Sequence, residues 1–536
     1  MCELIKIFEG LNSNSKITLE NKIYHVYEEN CHELFGCFCS NTATIEQNPK
    51  GKHKTCILIK DKKNVLIDGN GATVLIHGVI TPFIIDNCVN VNIKNLTIEY
   101  NRPTMSEFFV KEKQGDEYLL KMTKDTLYSV KNGQIIWQGD ADHNGMPHWE
   151  RPYRSDFELS MFYNPQTEKT YFLRGAGTRF PCVPEFSQIK ELGDNVLSVK
   201  VNGDVELPVG CVIQSRNVIR NELGGFINNS KNVQLNSVKV RSMHGFGILA
   251  QFTKNIKYIN VDCTPKQGKT ITSNADFFHF SGCYGKIVID GAKALGGHDD
   301  FVNVHGTHLK VINIDNDKKT ILVRFAHNET WGFFPFYKGD KIEFIKWNTL
   351  KSYFKSKVLL VNKINDTDFE LTLNKLPQKI ELDKDVLENV SKTAKVLIKN
   401  CYFGPSMGRG ILCLTRKKAI IKNNVFYKTG GCALHVADDC NFWFESGIVN
   451  NLKFIKNKLI DCSYGVNSPT MNDENKPSII EVCPNVMYKE YKGHVHKKIT
   501  IKDNVIYTSQ KNKEKIIKIT FTKKAIVKNN DVRELS

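Results

Sequence analysis

Three aspartates carry the densest chemistry in this 536-residue sequence. Asp276 closes the run Ser273-Asn274-Ala275-Asp276, and Asp299 and Asp300 close the phrase GGHDD, so Asp276 and Asp299 are 23 residues apart. Carboxylates crowded together repel one another, and at least one then keeps its proton above the ordinary carboxyl range. Carboxyls whose proton affinities are pushed apart supply an acid and a base, the pair that glycosidic cleavage needs. His279, His298 and His305 lie close by in sequence and can hydrogen-bond carboxylates or sugar hydroxyls. Gly296-Gly297 gives a sharp turn where backbone can approach a ligand. An Asp-Asp pair alone reads as a solvated corner; Asp276 one step away and His298 alongside turn the balance toward catalysis. Three Asp with neighbouring His could also bind calcium or zinc, but the cluster has neither the DxDxDG calcium pattern nor HExxH, so no metal or other cofactor is expected there.

Two later stretches extend the candidate site. SMGRGILCLTRKK places Arg409 between glycines and Arg416 further along; an arginine there can neutralise the acidic cluster or bind an oxygen-rich substrate. ADDCNFWFESG brings Trp443, an apolar face for a sugar ring, and Glu445, an acceptor for hydroxyl donors. Trp443 and Glu445 sit in an insertion, because Asn423 and Asn457 are 34 residues apart where 23 is the rule.

That rule comes from the elements that must position these side chains. A phrase of apolar or β-branched residues, often a Lys, then Asn or Asp, recurs along the chain. It stands at Asp68, Asn95, Asn236, Asn260 and Asp290, and again at Asn400, Asn423, Asn457, Asp503 and Asn529. Asn400 to Asn423 is 23 residues, Asn236 to Asn260 is 24, and Asn457 to Asp503 is 46, or two steps. Units this short leave no room for a crossover helix, so the pattern predicts an all-β, right-handed parallel β-helix whose corner Asn residues could stack as a ladder. One step along such a solenoid puts Asp276 beside Asp299–Asp300, with strands about 4.8 Å apart.

Two intervals are too long. Asn95 to Asn236 is 141 residues and Asp290 to Asn400 is 110. The first gap contains Asn132-Gly133, a type I′ hairpin signal, and the second a two-strand signal around Asp315–Asp317. Both read as inserted antiparallel, barrel-like β domains. The expected organisation is solenoid over 1–102, an insert over 103–215, carboxylate-bearing coils over 216–305, a second insert over 306–395, and C-terminal coils over 396–536.

Composition narrows the class. Lys and Arg number 74 against 57 Asp and Glu, a formal charge of +17, but the positive residues are spread through the repeats rather than clustered, which argues against nucleic acid as a partner. No stretch approaches about 20 apolar residues, so no membrane span is expected. The sixteen Cys contain no CxxC pair and read as buried reduced thiols. No secretory leader is visible at MCELIKIFEG, which predicts a cytoplasmic location, or an exported one if a leader precedes this sequence. The oligomeric state stays open.

The order NAD, HDD, GRG, TRK resembles the NTD, DD, GHG, RIK series of the polygalacturonases, glycoside hydrolase family 28. It departs at Ala275 and at Arg409, which stands where that family has His. The phrases GGHDDFVNVHG, RGILCLTRKK and NFWFESG are more similar to glycoside hydrolase family 110, bacterial exo-acting α-1,3-galactosidases that remove terminal galactose from blood-group B and related glycans. So is a β-helix interrupted by two β-barrel-like inserts. The resemblance spans about 50 to 465. It implies a glycan or oligosaccharide substrate with terminal α-galactose, inversion at the anomeric carbon without a metal, Asp299 as the general acid, and Asp276 with Asp300 as the pair that activates water. Inverting carboxyls ordinarily stand about 6.5–9.5 Å apart, so side-chain directions must widen the strand spacing. Two alternatives stay open: a pectin-type hydrolase holding a sugar carboxylate with Arg416-Lys417, and a non-catalytic glycan-binding adhesin.

Overall fold

The computed structural model describes residues 2–153, 158–172, 184–203, 205–465 and 477–535. Its backbone winds into a parallel β-helix with three sheets. Eleven parallel strands, from Lys16–Thr18 to Thr522–Lys528, make the first, and eleven, from Ile23–Tyr27 to Asp531–Glu534, make the second. The third runs from Ile57–Lys60 to Ile517–Ile519 and carries the candidate site.

Period-2 alternation in each repeat explains the stacking. In Lys63–Asp68, Val65 and Ile67 point inward and are buried. Parallel pairing in register then sets Val65 on Val91 and Ile67 on Ile93, and the same two rows continue through Val233 and Leu235 to Ile256 and Tyr258. Each such aliphatic side chain contributes about 1.5–3 kcal/mol on leaving water. The corners need left-handed backbone, which Asn tolerates better than other side-chain-bearing residues. Asn95, Asn260, Asn400 and Asn423 all sit there, with φ of 54, 50, 57 and 55°. Asn side chains also form ladders. One runs from Asn255 to Asn232 to Asn90 to Asn64, each amide donating to the next at 2.8–2.9 Å. Glu3–Glu9, a short helix, lays Leu4, Ile5 and Phe8 over the first coil.

Two antiparallel β structures interrupt the solenoid. Between Ser106 and Asn217 lies a seven-stranded antiparallel sheet with its own core around Phe108, Trp137 and Phe162. Among the described residues this sheet does not close. A three-stranded sheet beside it turns at Asn132-Gly133, both with positive φ (51 and 70°), as a type I′ hairpin requires. The second interruption does close: its strands pair around a ring of six, ending where Thr320–Phe325 meets Val302–Asp315. That last strand is 14 residues long, beginning in the third sheet of the solenoid and finishing in the barrel.

The cysteines named by their apolar context, Cys211, Cys263, Cys401 and Cys413, are buried free thiols. No helix among the described residues is long and apolar enough to cross a membrane.

Candidate active site

Five consecutive strands of the third sheet carry the site: β1 (Phe246–Gln251), β2 (Phe278–Ser281), β3 (Val302–Asp315), β4 (Ile411–Cys413) and β5 (Leu434–Val436). Asp276 lies two residues before β2, Asp300 two before β3, and Arg409 two before β4. Equivalent turns therefore present all three. Phe278 pairs with Val302 and His279 with Asn303, an offset of 24. Asp276 consequently lies level with Asp300; the 23-residue step that pointed to Asp299 is one short here. The backbone N–H of Asp300 confirms the level by donating to Asp276 Oδ1 at 3.1 Å.

Glycines allow the coils to come this close. A Cβ on Gly408 would meet the Asp299 carbonyl carbon at 2.2 Å, and one on Gly247 would meet the Asp276 carbonyl oxygen at 1.9 Å. Above and below the carboxylates, side chains are excluded.

One oxygen from each of Asp276, Asp299 and Asp300 lies within 4.8 Å of the others. Burial pushes Asp276 well above the usual carboxyl range, and the neighbouring Asp299 and Asp300 push the same way. Burial also lifts Asp300, to about 6, against the opposing pull of Arg409. Arg409 Nε donates to Asp300 Oδ1 at 2.7 Å, and its backbone N–H reaches the same oxygen at 3.2 Å. Asp299 is the most exposed of the three, with 38% of its side chain accessible, and Arg220 approaches it at 3.9 Å. Oxygens this close are also what a hard cation seeks; here Arg409 and Arg220 supply the positive charge.

Asp276 and Asp299 open into a pocket of about 690 Å³, with Asp300 buried behind them. Trp443 and Glu445 line it. Trp443 stacks on His327 at 4.3 Å between ring centroids and keeps 43% of its surface exposed. Its loop is shaped by Asp439, whose carboxylate accepts the backbone N–H groups of Asn441, Phe442, Trp443 and Phe444. Glu445 Oε1 accepts from Asn41 at 3.0 Å and Asn303 at 3.2 Å. His279 reaches the pocket wall and contacts Asp276 Oδ2 at 2.8 Å.

Three expected sugar contacts lie elsewhere. Arg416 is drawn off by a bidentate pair with Glu388, at 2.8 and 2.5 Å, and by Glu343 at 2.9 Å, because the barrel wall offers two buried carboxylates. His298 is buried between Arg216 Nε at 3.1 Å and Gln214 Oε1 at 2.8 Å, fastening the first insert to the site's turn. His305 is buried behind His279 and contacts it at 2.7 Å.

Arg220, which lines the pocket, and His327 and Glu329, which back Trp443 and Arg220, escaped sequence reasoning. Arg220, His327 and Glu329 come from connecting segments with no repeated phrase. Arg220 pairs with Glu329 and lies 5.5 Å from the centre of the Trp443 ring. Asn303 and His435 did carry a signal: stacking in register places His279, Asn303, Leu412 and His435 in one outward row.

Comparison with known proteins follows this geometry. The family described as GLAA-B beta-barrel domain II matches residues 320–387, inside the closed barrel. The alpha-1,3-galactosidase A of Bacteroides fragilis is 32% identical over 474 residues, covering 88% of this chain and 74% of that protein. The alpha-1,3-galactosidase A of Akkermansia muciniphila is 34% identical over 471 residues, covering 87% and 73%. Among solved structures, the family 28 exopolygalacturonase of Yersinia enterocolitica is similar with a TM-score of 0.33 and 10% identity, over 99% of this chain and 74% of that one.

Proposed function

The chain belongs to the alpha-1,3-galactosidase family, and on that footing we propose that it hydrolyses terminal α-1,3-linked galactose from glycans of the blood-group B or linear α-galactosyl type. The observation that carries this is the cluster of Asp276, Asp299 and Asp300, with oxygens within 4.8 Å, of which Asp276 and Asp299 line one pocket beside an aromatic rim and Asp300 lies buried behind them. Asp299, the carboxyl most open to the pocket, gives its proton to the departing glycosidic oxygen as the bond from that oxygen to the anomeric carbon breaks. Asp276 and Asp300, whose burial strengthens their hold on a proton, draw the proton from the attacking water.

Inversion is the proposed outcome. The carboxyl oxygens are closer than the about 6.5–9.5 Å of an ordinary inverting pair. What supports a water nucleophile is that Asp276 at the pocket has both oxygens engaged, Oδ1 by the N–H of Asp300 and Oδ2 by His279, and that Asp300 is fully buried, so neither is free to attack the anomeric carbon. Asp300 Oδ2 is buried and has no hydrogen-bond partner among the described residues.

A neutral sugar suits the pocket better than a uronic acid. Arg416 is engaged by Glu388 and Glu343, Arg409 by Asp300, and Arg220 by Glu329. No arginine of this set is left to receive a sugar carboxylate. The test is turnover of B-trisaccharide, α-1,3-digalactoside and galacturonan, with Asp299→Asn as control. Galactose release from the first two is expected; cleavage of galacturonan alone would reject the proposal, as would binding without turnover. Proton NMR of the first anomer released checks inversion, with early α-galactose counting against it.

A further inference from the structure

Asp276, His279 and His305 form a hydrogen-bonded line that ends on a backbone carbonyl. His305 Nδ1 lies 2.6 Å from the carbonyl oxygen of Gly306. A carbonyl only accepts, so Nδ1 of His305 carries a proton. In the neutral ring the other nitrogen is an acceptor, and it lies 2.7 Å from Nε2 of His279. His279 then carries its own proton on Nε2 and turns a bare Nδ1 toward Asp276 Oδ2, 2.8 Å away. An ionised Oδ2 would face that nitrogen as one acceptor against another. An acid-form Asp276 makes the same contact a hydrogen bond.

We propose that the Gly306 carbonyl, acting through His305, locks His279 in the Nε2–H tautomer and so makes Asp276 a stronger proton acceptor. His305, which does not reach the pocket, is thereby a positioning residue. The kinetic consequence rests on the hydrolase proposed above; the tautomers do not.

The surroundings act on the same line. Asp299, Asp300 and Glu445 strengthen the hold of Asp276 on a proton, and Arg409 opposes them. Burial keeps His279 neutral, with His305 and Arg220 acting in the same direction. Phe246 sets its ring against His279, centroids 5.0 Å apart. Glu445 is the carboxylate that faces the line: its Oε1 lies 3.5 Å from His305 Nε2. That oxygen already accepts from Asn41 and Asn303.

The test has two arms. Long-range proton–nitrogen spectra of histidine-labelled protein at neutral pH read the tautomers without substrate. Expected are a neutral His279 protonated on Nε2 and a neutral His305 protonated on Nδ1. A doubly protonated ring at either position, or His305 protonated on Nε2, overturns the proposal. In the second arm, His305→Leu removes the acceptor. The Nε2–H of His279 is then buried without a partner, its proton moves to Nδ1, and Asp276 gains a donor. The acid limb of kcat/KM should move to lower pH by about one to two units. His305→Gln, whose amide oxygen can accept from His279, should return the limb toward its original position. An unmoved limb in folded His305→Leu sinks the proposal. If that variant does not fold, the spectrum of the unaltered protein still decides. Absence of galactoside hydrolysis in the unaltered protein would reject the function and leave the tautomer question to the spectrum.

Discussion

The backbone N–H of Asp300 donates to Oδ1 of Asp276 across one step of the solenoid, at 3.1 Å. That bond ties the two buried carboxyls of the site to neighbouring coils, so their spacing is a property of the sheet rather than of a loop.

Replacing Asp276, Asp299 or Asp300 with Asn should each lower kcat by at least about 10²-fold, the usual scale of lost acid–base help. The far-ultraviolet spectrum should be unchanged, because none of the three fills the solenoid core. Turnover near that of the unaltered protein in all three variants would reject the site.

The pH profile follows from Asp300. Its folded value of about 6 lies above the ordinary carboxyl value of about 3.9. In the proposed mechanism the ionised form serves as base, so kcat/KM should rise with pH through a limb near 6. Between about 4 and 6 the native state keeps a proton that the unfolded chain has lost. This carboxyl therefore makes the fold less stable as pH rises through that window. Activity and melting temperature, recorded against pH, should move in opposite directions there as far as this group controls them.

Gly408→Ala tests the close approach of the coils. The added methyl meets the Asp299 backbone at 2.2 Å and must displace it. A shift of about 1 Å in a reacting group costs on the order of 10²-fold, and a loss of that size in kcat is expected. An unimpaired alanine variant would show that Asp299 has room to spare.

Arg416 and Trp443 should separate cleanly. Arg416→Met leaves buried Glu388 without its arginine and Glu343 with only Lys355 and Ser352, a loss of about 3–5 kcal/mol read in denaturant unfolding, with KM little changed. Trp443→Ala should raise KM up to about tenfold, as expected for one lost aromatic contact, with stability little changed. The reverse pattern would return Arg416 to the substrate.

Much of this architecture was legible because it repeats. Ten Asn or Asp corners, with intervals of 23 and 24 among them, announced parallel coils, and the two long gaps announced the interruptions. The carboxylates were legible because one step of the coil joins them. The step itself was misjudged by one residue: β2 and β3 pair with an offset of 24, not the 23 counted from Asn400 to Asn423. Arg416 and His298 misled for a different reason. Each lies in a phrase that belongs to the site, yet its side chain is claimed by a surface contributed from an insert: Glu388 and Glu343 in one case, Gln214 and Arg216 in the other. Arg220, His327 and Glu329 were invisible because partners so distant in sequence leave no spacing to count.

Strand β3 leaves the solenoid and enters the barrel as one unbroken piece of backbone, with His305 and Gly306 at the passage and Gly306–Thr307 paired to Ser446–Glu445. The barrel is therefore not an interchangeable cassette. A chimaera that trades barrels between relatives must splice beyond Leu309, in the hairpin at 315–320, or it will rewrite the floor of the candidate site along with the domain it meant to exchange. Recombination in this lineage should be expected to respect that seam.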